Sequence, residues 1–215
     1  MASILEMEHY KGGIPMYLTC LDLEGVLIPE IWIEFAKASG IPELERTTRD
    51  EPDFKKLMAY RLDILKQHGL GLNEIQAVIA EMEPLPGARE FVDELRSFSE
   101  LILVSDTFYE FALPLVEKLG KPTIFCNALK VAEDGEILGL DLRGDNKKIT
   151  TIKALQSIGF TTIASGDSHN DIGMIQQSKA GALFKANDAL KKQYPEIPAF
   201  DEYDDLLAFI KKNMD

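Results

Sequence analysis

Asp22 and Glu24 stand two residues apart in the segment Cys20-Leu-Asp-Leu-Glu-Gly-Val-Leu27, directly after an apolar, strand-like run. In an extended chain alternate residues face the same side, so the two carboxylates share a face, and Gly25 permits a tight turn behind them. Such a pair can divide labour, one carboxylate attacking phosphorus while the other gives and takes a proton. A solvated acidic turn is the competing reading of this segment taken alone. The run Thr161-Thr-Ile-Ala-Ser-Gly-Asp-Ser-His-Asn-Asp171 ends a second apolar stretch with Asp167 and Asp171 four residues apart. Hard oxygen donors at a strand end suit Mg²⁺, which takes one or two carboxylates together with water and phosphate oxygens. An Asx-rich turn that caps the next helix competes with that reading, and Asp171 suits a capping role. Ser105, after Val104, puts a hydroxyl at a third strand end, where it could meet a phosphate oxygen. Lys147 and Lys148 open the amphipathic stretch Ile149, Ile152, Leu155, Ile158. Lysine at a helix start opposes the helix dipole, and neutralising a phosphate supplies a reason for it to be there.

Strand-like runs at Met16–Leu23, Leu101–Val104, Thr123–Phe125, Thr161–Ala164 and Ala180–Phe184 are expected to carry these groups. Most alternate with helical periodicity, the pattern of a parallel sheet wrapped by helices. The interval from about Glu30 to Pro84 instead holds helical patterns at Ile31–Ser39, Phe54–His68 and Asn73–Glu81, punctuated by Gly40-Ile-Pro42 and Gly69–Gly71. It reads as an all-helical insertion after the first strand. Glu83-Pro-Leu-Pro-Gly87 marks the return to the α/β body, a helix follows at Ala88–Phe98, and Asp134-Gly135 between short apolar runs signals a hairpin. The expected organisation is an N-terminal extension at 1–15, with Met16 as an alternative start, an α/β body at 16–29 and 85–215, and a helical unit at 30–84.

The formal charge of −13, from 36 acidic and 23 basic residues in 215, opposes binding to nucleic acid or an acidic membrane surface. No apolar run reaches the length of a membrane helix, and the N-terminus lacks a secretory pattern. Cys20 and Cys126 lie in apolar runs without zinc spacing, which fits buried free thiols in a reducing, cytoplasmic compartment. Trp32, Phe108, Tyr109 and Phe111 read mainly as packing residues, Phe108 also as a pocket wall. His169 reads as an exposed loop residue rather than an acid or base.

The order Asp-x-Glu, Ser, Lys, Gly-Asp-x-x-x-Asp resembles the four motifs of the haloacid dehalogenase-like phosphatase superfamily, from Met16 to about Phe184. The helical interval resembles its C1 cap, which implies a Rossmann-like parallel sheet core with a small helical cap. Cys20-Leu-Asp-Leu-Glu-Gly-Val-Leu, Ser105-Asp-Thr-Phe-Tyr-Glu-Phe111 and Gly166-Asp-Ser-His-Asn-Asp171 are most similar to the phosphoserine phosphatase branch, and within it to the phosphoserine phosphatase/homoserine phosphotransferase group.

The resemblance implies that Asp22 is the nucleophile and Glu24 the acid and base. It also implies Mg²⁺ held by Asp22, the Glu24 carbonyl and Asp167 with support from Asp171, phosphate held by Ser105 and Lys148, and an amino acid read by Glu30 and Arg61. Lys148 suits the pattern better than Lys147. A surface ion pair is the competing reading of Arg61, and Arg49 is a second candidate anion contact. Most members carry aspartate where this chain has Glu24, whose longer arm bears on the choice between water and an alcohol such as homoserine as phosphoryl acceptor. Another small phosphorylated metabolite as substrate, or a catalytically silent phosphate-binding module, are the alternatives. A homodimer is one open assembly state.

Overall fold

The computed structural model describes residues 16–48, 50–144 and 147–214, with Lys147 placed by its backbone alone. The expected N-terminal extension at 1–15 and the candidate anion contact Arg49 lie outside the described residues.

Strands β1 (Met16–Leu21), β2 (Glu100–Phe108), β3 (Thr123–Val131), β4 (Ile137–Asp141), β5 (Phe160–Gly166), β6 (Ala180–Phe184) and β7 (Ala199–Phe200) form one sheet. Its order is β4-β3-β2-β1-β5-β6-β7, with every neighbouring pair parallel except the β3/β4 hairpin. Consecutive strand residues face opposite sides, and β1 is buried on both. Leu21 joins Leu103 and Phe184 in a core layer beneath α4 (Ala88–Arg96), α5 (Tyr109–Lys118) and α9 (Tyr203–Lys212). Cys20 joins Val104 and Leu183 in a second layer beneath α6 (Lys147–Ser157), α7 (Ile172–Gln177) and α8 (Asp188–Gln193). The chain thus adopts the expected α/β architecture. In α4 the buried residues Ala88, Phe91, Val92 and Leu95 fall at helical spacing on one face.

Between β1 and α4 lie α1 (Ile31–Ser39), α2 (Phe54–His68) and α3 (Leu72–Glu81), and no strand of the sheet. Asp53 caps α2 by accepting from the Lys55 and Lys56 amides, and Gly69 ends it in the left-handed region. These helices share the first core layer: Trp32, Phe35, Ile75 and Ile79 are buried in the same cluster as Phe111 and Leu115. The Leu72 amide donates to the Gly135 carbonyl at 2.9 Å, and Gln76 Nε2 donates to the Glu110 carbonyl at 3.0 Å. The hairpin turn and α5 therefore brace the helical segment.

Three expectations need correction. Ile158 is 67% exposed, because α6 ends at Ser157 before the fourth apolar position comes round. Tyr109 is 47% exposed at the start of α5 rather than packed. Strand β2 runs on past Val104 to Phe108, its register with β3 slipping between those residues, so Ser105 lies inside an irregular strand rather than beyond a regular one. Cys20 and Cys126 are buried and form no disulfide, as expected. No helix among the described residues is long and apolar enough to cross a membrane.

Candidate active site

From β1 the chain builds outward to β2 on one side and β5 on the other, so the carboxyl ends of these three strands meet at a topological switch point, where open α/β sheets bind ligands. Asp22 follows β1, Ser105 lies in β2, and Asp167 follows β5. The Asp22 amide donates to the Ser165 carbonyl at 3.0 Å, extending the β1/β5 ladder to the residue that presents the carboxylate. All three side chains line a cleft of about 1360 Å³ between the sheet and the helical segment.

Asp22, Asp167 and Asp171 are buried, and each offers an oxygen within 4.8 Å of the others. Lys148, 4% exposed, sends its ammonium to within 2.9 Å of Asp22 Oδ1 and 2.5 Å of Asp171 Oδ1. Burial opposes the charge on Lys148, but Asp171, Asp22 and Asp106 outweigh it and hold its pKa above the usual lysine value. Burial pushes Asp22 well above the ordinary aspartate range; Lys148 opposes the push, and Asp171 and Asp167 add to it. Three buried carboxylates, each with an oxygen within 4.8 Å of the others, form a hard-oxygen donor set that fits Mg²⁺. The second oxygen of Asp171 accepts from the Ser168 amide at 3.0 Å, closing the short turn His169–Asp171 as a capping residue would.

Gly25 and Gly166 allow this crowding. A Cβ on Gly25, at φ +76°, would stand 2.6 Å from Asp167 Oδ2, and one on Gly166 would stand 2.2 Å from Asp171 Cγ.

Glu24 lies one alternation beyond Asp22. Its Oε2 accepts from the Ile31 amide at 3.0 Å, at the start of α1, and its carboxylate is also bonded by the Thr107 side chain. Burial and the neighbouring charge of Glu30 push its pKa up to about 7, while Thr107, the Ile31 amide and Arg61 pull the other way. A carboxyl poised near neutrality suits proton transfer in both directions. Thr107 escaped the sequence reading, although the alternation that pairs Asp22 with Glu24 also pairs Ser105 with Thr107.

Arg61 is not a surface ion-pairing residue. It is 6% exposed, its guanidinium carbon lies 4.6 Å from the Trp32 ring centre, and one terminal nitrogen donates to the Arg46 carbonyl at 2.6 Å. Its Nε has no hydrogen-bond partner among the described residues. Burial lowers its pKa to about 10 against the pull of Glu24 and Glu30, so it stays charged at neutral pH. A buried cation with an idle donor beside a cleft is equipped to receive an anion. Glu30 lines the same cleft with Arg61 and Trp32.

Of the remaining candidates, Phe108 lines the cleft and stacks on Phe54 at 6.4 Å between ring centres, whereas His169 is exposed and lies 5.8 Å from the Tyr194 ring. Lys148 is the lysine that reaches the acids; the side chain of Lys147 lies outside the described residues. Two polar links between segments were not foreseen: Asn170 Nδ2 donates to Asp106 Oδ2 at 2.7 Å, and Asn127 Nδ2 donates to the Asp106 carbonyl at 2.8 Å.

Residues 19–179 match the haloacid dehalogenase-like hydrolase family. The chain is 47% identical over 191 residues to a protein of Pseudomonas aeruginosa named phosphoserine phosphatase ThrH, covering 89% of this chain and 93% of the relative. It is 46% identical over 195 residues to a phosphoserine phosphatase of Pseudomonas syringae pv. tomato, covering 91% and 82%. Among solved structures, a phospho-aspartyl intermediate analogue of phosphoserine phosphatase superposes with a TM-score of 0.76 at 22% identity, covering 91% of this chain and 99% of that one, a likeness of fold.

Proposed function

The chain belongs to the haloacid dehalogenase-like hydrolase family and is a phosphatase, and we propose that it hydrolyses phosphoserine with Mg²⁺ through an aspartyl-phosphate on Asp22. The observation that carries this reading is the pair of charged groups that line one cleft. Asp22, Asp167, Asp171 and Lys148 gather around a place for a phosphoryl group, and buried Arg61, its Nε idle, lines the same cleft with Glu30, a cation and an anion suited to an amino acid's carboxylate and ammonium. The names of the two Pseudomonas relatives support the same substrate.

In this reading Ser105 and the Lys148 ammonium hold the phosphoryl oxygens. An Asp22 oxygen attacks phosphorus as the bond to the serine oxygen breaks, and protonated Glu24 gives its proton to the leaving oxygen. Water then attacks phosphorus, Glu24 takes its proton, and Asp22 is released with inorganic phosphate. Asp22, the Glu24 carbonyl and Asp167 would hold Mg²⁺ with support from Asp171, and the ion would withdraw charge from the phosphoryl oxygens.

The domain division follows the same lines: a core of residues 16–29 and 85–215, and a cap of residues 30–84 supplying Glu30 and Arg61. The two buried cysteines, joined in no disulfide, support a reducing, cytoplasmic setting.

Phosphate release from phosphoserine should require Mg²⁺ and disappear in Asp22→Asn. Turnover that survives that substitution, or a chelator, would sink the mechanism. One observation favours a second acceptor: the longer carboxylate arm of Glu24 is held by the Ile31 amide and Thr107. With its position set in this way, it can deprotonate an alcohol as well as water, and homoserine is the proposed alternative. Product analysis with and without homoserine decides this, and absence of phosphohomoserine removes the transfer reading.

A further inference from the structure

Asn127 is 1% exposed, lies on β3, and is not among the groups assigned to phosphate, metal or amino acid. It sits where β3 changes partners: Asn127 is in register with Phe108 of parallel β2, and the next residue, Ala128, with Asp141 of antiparallel β4. On β2 three residues, Ser105, Asp106 and Thr107, intervene between Val104 and Phe108, whereas on β3 Cys126 alone intervenes between their partners Phe125 and Asn127. The surplus makes β2 bulge, and the regular ladder is interrupted where Ser105 and Thr107 must face the cleft.

The Asn127 side chain spans this break. Its Nδ2 donates to the Asp106 carbonyl at 2.8 Å, holding the residue between Ser105 and Thr107, and its Oδ1 accepts from the Arg143 amide at 3.3 Å. Arg143 in turn donates from its guanidinium to Thr151 Oγ1 at 3.3 Å, in the helix that presents Lys148, and lies over the Phe125 ring at 5.1 Å. One buried amide thus ties the backbone that carries Ser105 to Arg143, whose guanidinium reaches the helix of Lys148. Its donor and acceptor are both engaged with backbone groups, so it has a single satisfied orientation.

We infer that Asn127 is a positioning residue that sets the distance between Ser105 and Lys148 and so shapes the phosphoryl-binding end of the cleft. The inference rests on the reading of Ser105 and Lys148 as phosphate-holding residues. Two groups that grip one phosphoryl group act together only when their spacing matches it, and small displacements of such groups weaken catalysis steeply. Glu30 and Arg61 are carried by other segments and should not depend on Asn127.

The test is a set of double-mutant cycles on phosphoserine turnover, with inorganic phosphate as a competing probe. Asn127→Ala is expected to lower kcat/KM about tenfold and to raise the inhibition constant of inorganic phosphate by a similar factor, of the order that small displacements of such groups produce. In a Ser105→Ala background the effect of Asn127→Ala should largely vanish, whereas in an Arg61→Met background it should persist in full, because coupling is confined to groups that act as a unit. If Asn127→Ala does not fold, Asn127→Ser enters the same cycles with the same expectation. Equal effects of the Asn127 substitution in all backgrounds would reduce the residue to a structural role and overturn the proposal, as would unchanged phosphate inhibition. If Ser105→Ala alone leaves phosphate inhibition untouched, the phosphate-site reading itself has failed, an outcome distinct from failure of the Asn127 proposal.

Discussion

Gly25 and Asp167 stand so close that a single added carbon on the glycine would lie 2.6 Å from the aspartate's Oδ2, with the glycine at φ +76°. The turn that presents Glu24 and the loop that presents Asp167 are thus packed against each other through the absence of a side chain. Gly25→Ala is expected to cost roughly 1–2 kcal/mol from the left-handed backbone alone and to displace Asp167. The expected result is a folded protein that needs more Mg²⁺ for half-maximal phosphate release, read from a Mg²⁺ titration and a thermal melt. An unchanged Mg²⁺ requirement would show that the two segments do not depend on each other.

Glu24 is assigned the proton given to the leaving oxygen, and that role makes the cost of losing it depend on the leaving group. Glu24→Gln should lower kcat/KM for phosphoserine, which reports the steps up to departure of the leaving group, about 10²–10⁴-fold. The loss should be smaller for p-nitrophenyl phosphate, whose nitrophenolate departs without a proton. Equal losses on the two substrates would argue that Glu24 does not act as the acid.

Arg61 lies on Trp32 with its Nε idle, and the amino-acid end of the cleft is assigned to it and Glu30. Arg61→Met keeps most of the volume and removes the charge. KM for phosphoserine should rise by about tenfold or more, the worth of a charge-assisted pair, while p-nitrophenyl phosphate, which has no carboxylate to bind, should be processed nearly as before. A parallel decline on both would reassign Arg61 to the fold.

Lys148 is the ammonium shared by Asp22 and Asp171. In Lys148→Met the buried Asp22 and Asp171 lose the ammonium they share, and phosphate loses a counter-charge. Activity should fall by about 10²–10³-fold, the scale of a lost preorganised electrostatic contact. The substituted protein should also melt at a lower temperature than the parent in the absence of metal and recover much of the difference on adding Mg²⁺. A melting temperature insensitive to Mg²⁺ would contradict the assignment of the three acids to a cation.

A buried thiol and a half-buried phenol away from the proton-transfer step predict an alkaline limit to stability. Burial raises Cys20 to about 12 and lifts Tyr203 above the ordinary tyrosine value. Each is harder to deprotonate folded than unfolded, so its contribution is complete below the unfolded pKa and is lost as pH rises toward the folded one. Melting temperature should decline from about pH 9 upward, since unfolded thiols ionise near 8.5 and phenols near 10. Tyr203→Phe should make that decline shallower. The substitution also removes the bond at 2.7 Å from the Tyr203 hydroxyl to the Val26 carbonyl, so the melting temperature below pH 9 should fall slightly.

The legible part of the site was the part written in single segments. Asp22 and Glu24, Asp167 and Asp171, and Lys148 each lie at or just beyond the end of an element whose periodicity shows in sequence, Ser105 lies just past the apolar run of β2, and α/β topology brings these strands together without further information. The hairpin at Asp134-Gly135 and the helices Ile31–Ser39 and Phe54–His68 were legible for the same reason, strong local patterning with glycine punctuation. Strand β7, two residues long, and α8, with Leu190 as its one buried residue, carry too little pattern to be read. The C-terminal helix α9 and α5 went unread as well, although their buried faces follow helical spacing.

The sequence by itself determined the kind of chemistry, because residue type and position at a strand end are local properties: carboxylates that can attack and transfer protons, a hydroxyl, an ammonium, hard ligands for a divalent ion. Tertiary structure alone decided how those groups are tuned and held. That Arg61 is buried on Trp32 rather than paired at the surface, that Thr107 and the Ile31 amide grip Glu24, and that Asn127 joins the Ser105 segment to Arg143 all depend on contacts between elements distant in the chain. Burial and hydrogen-bond partnership are properties of the packed molecule, and no spacing in the sequence encodes them.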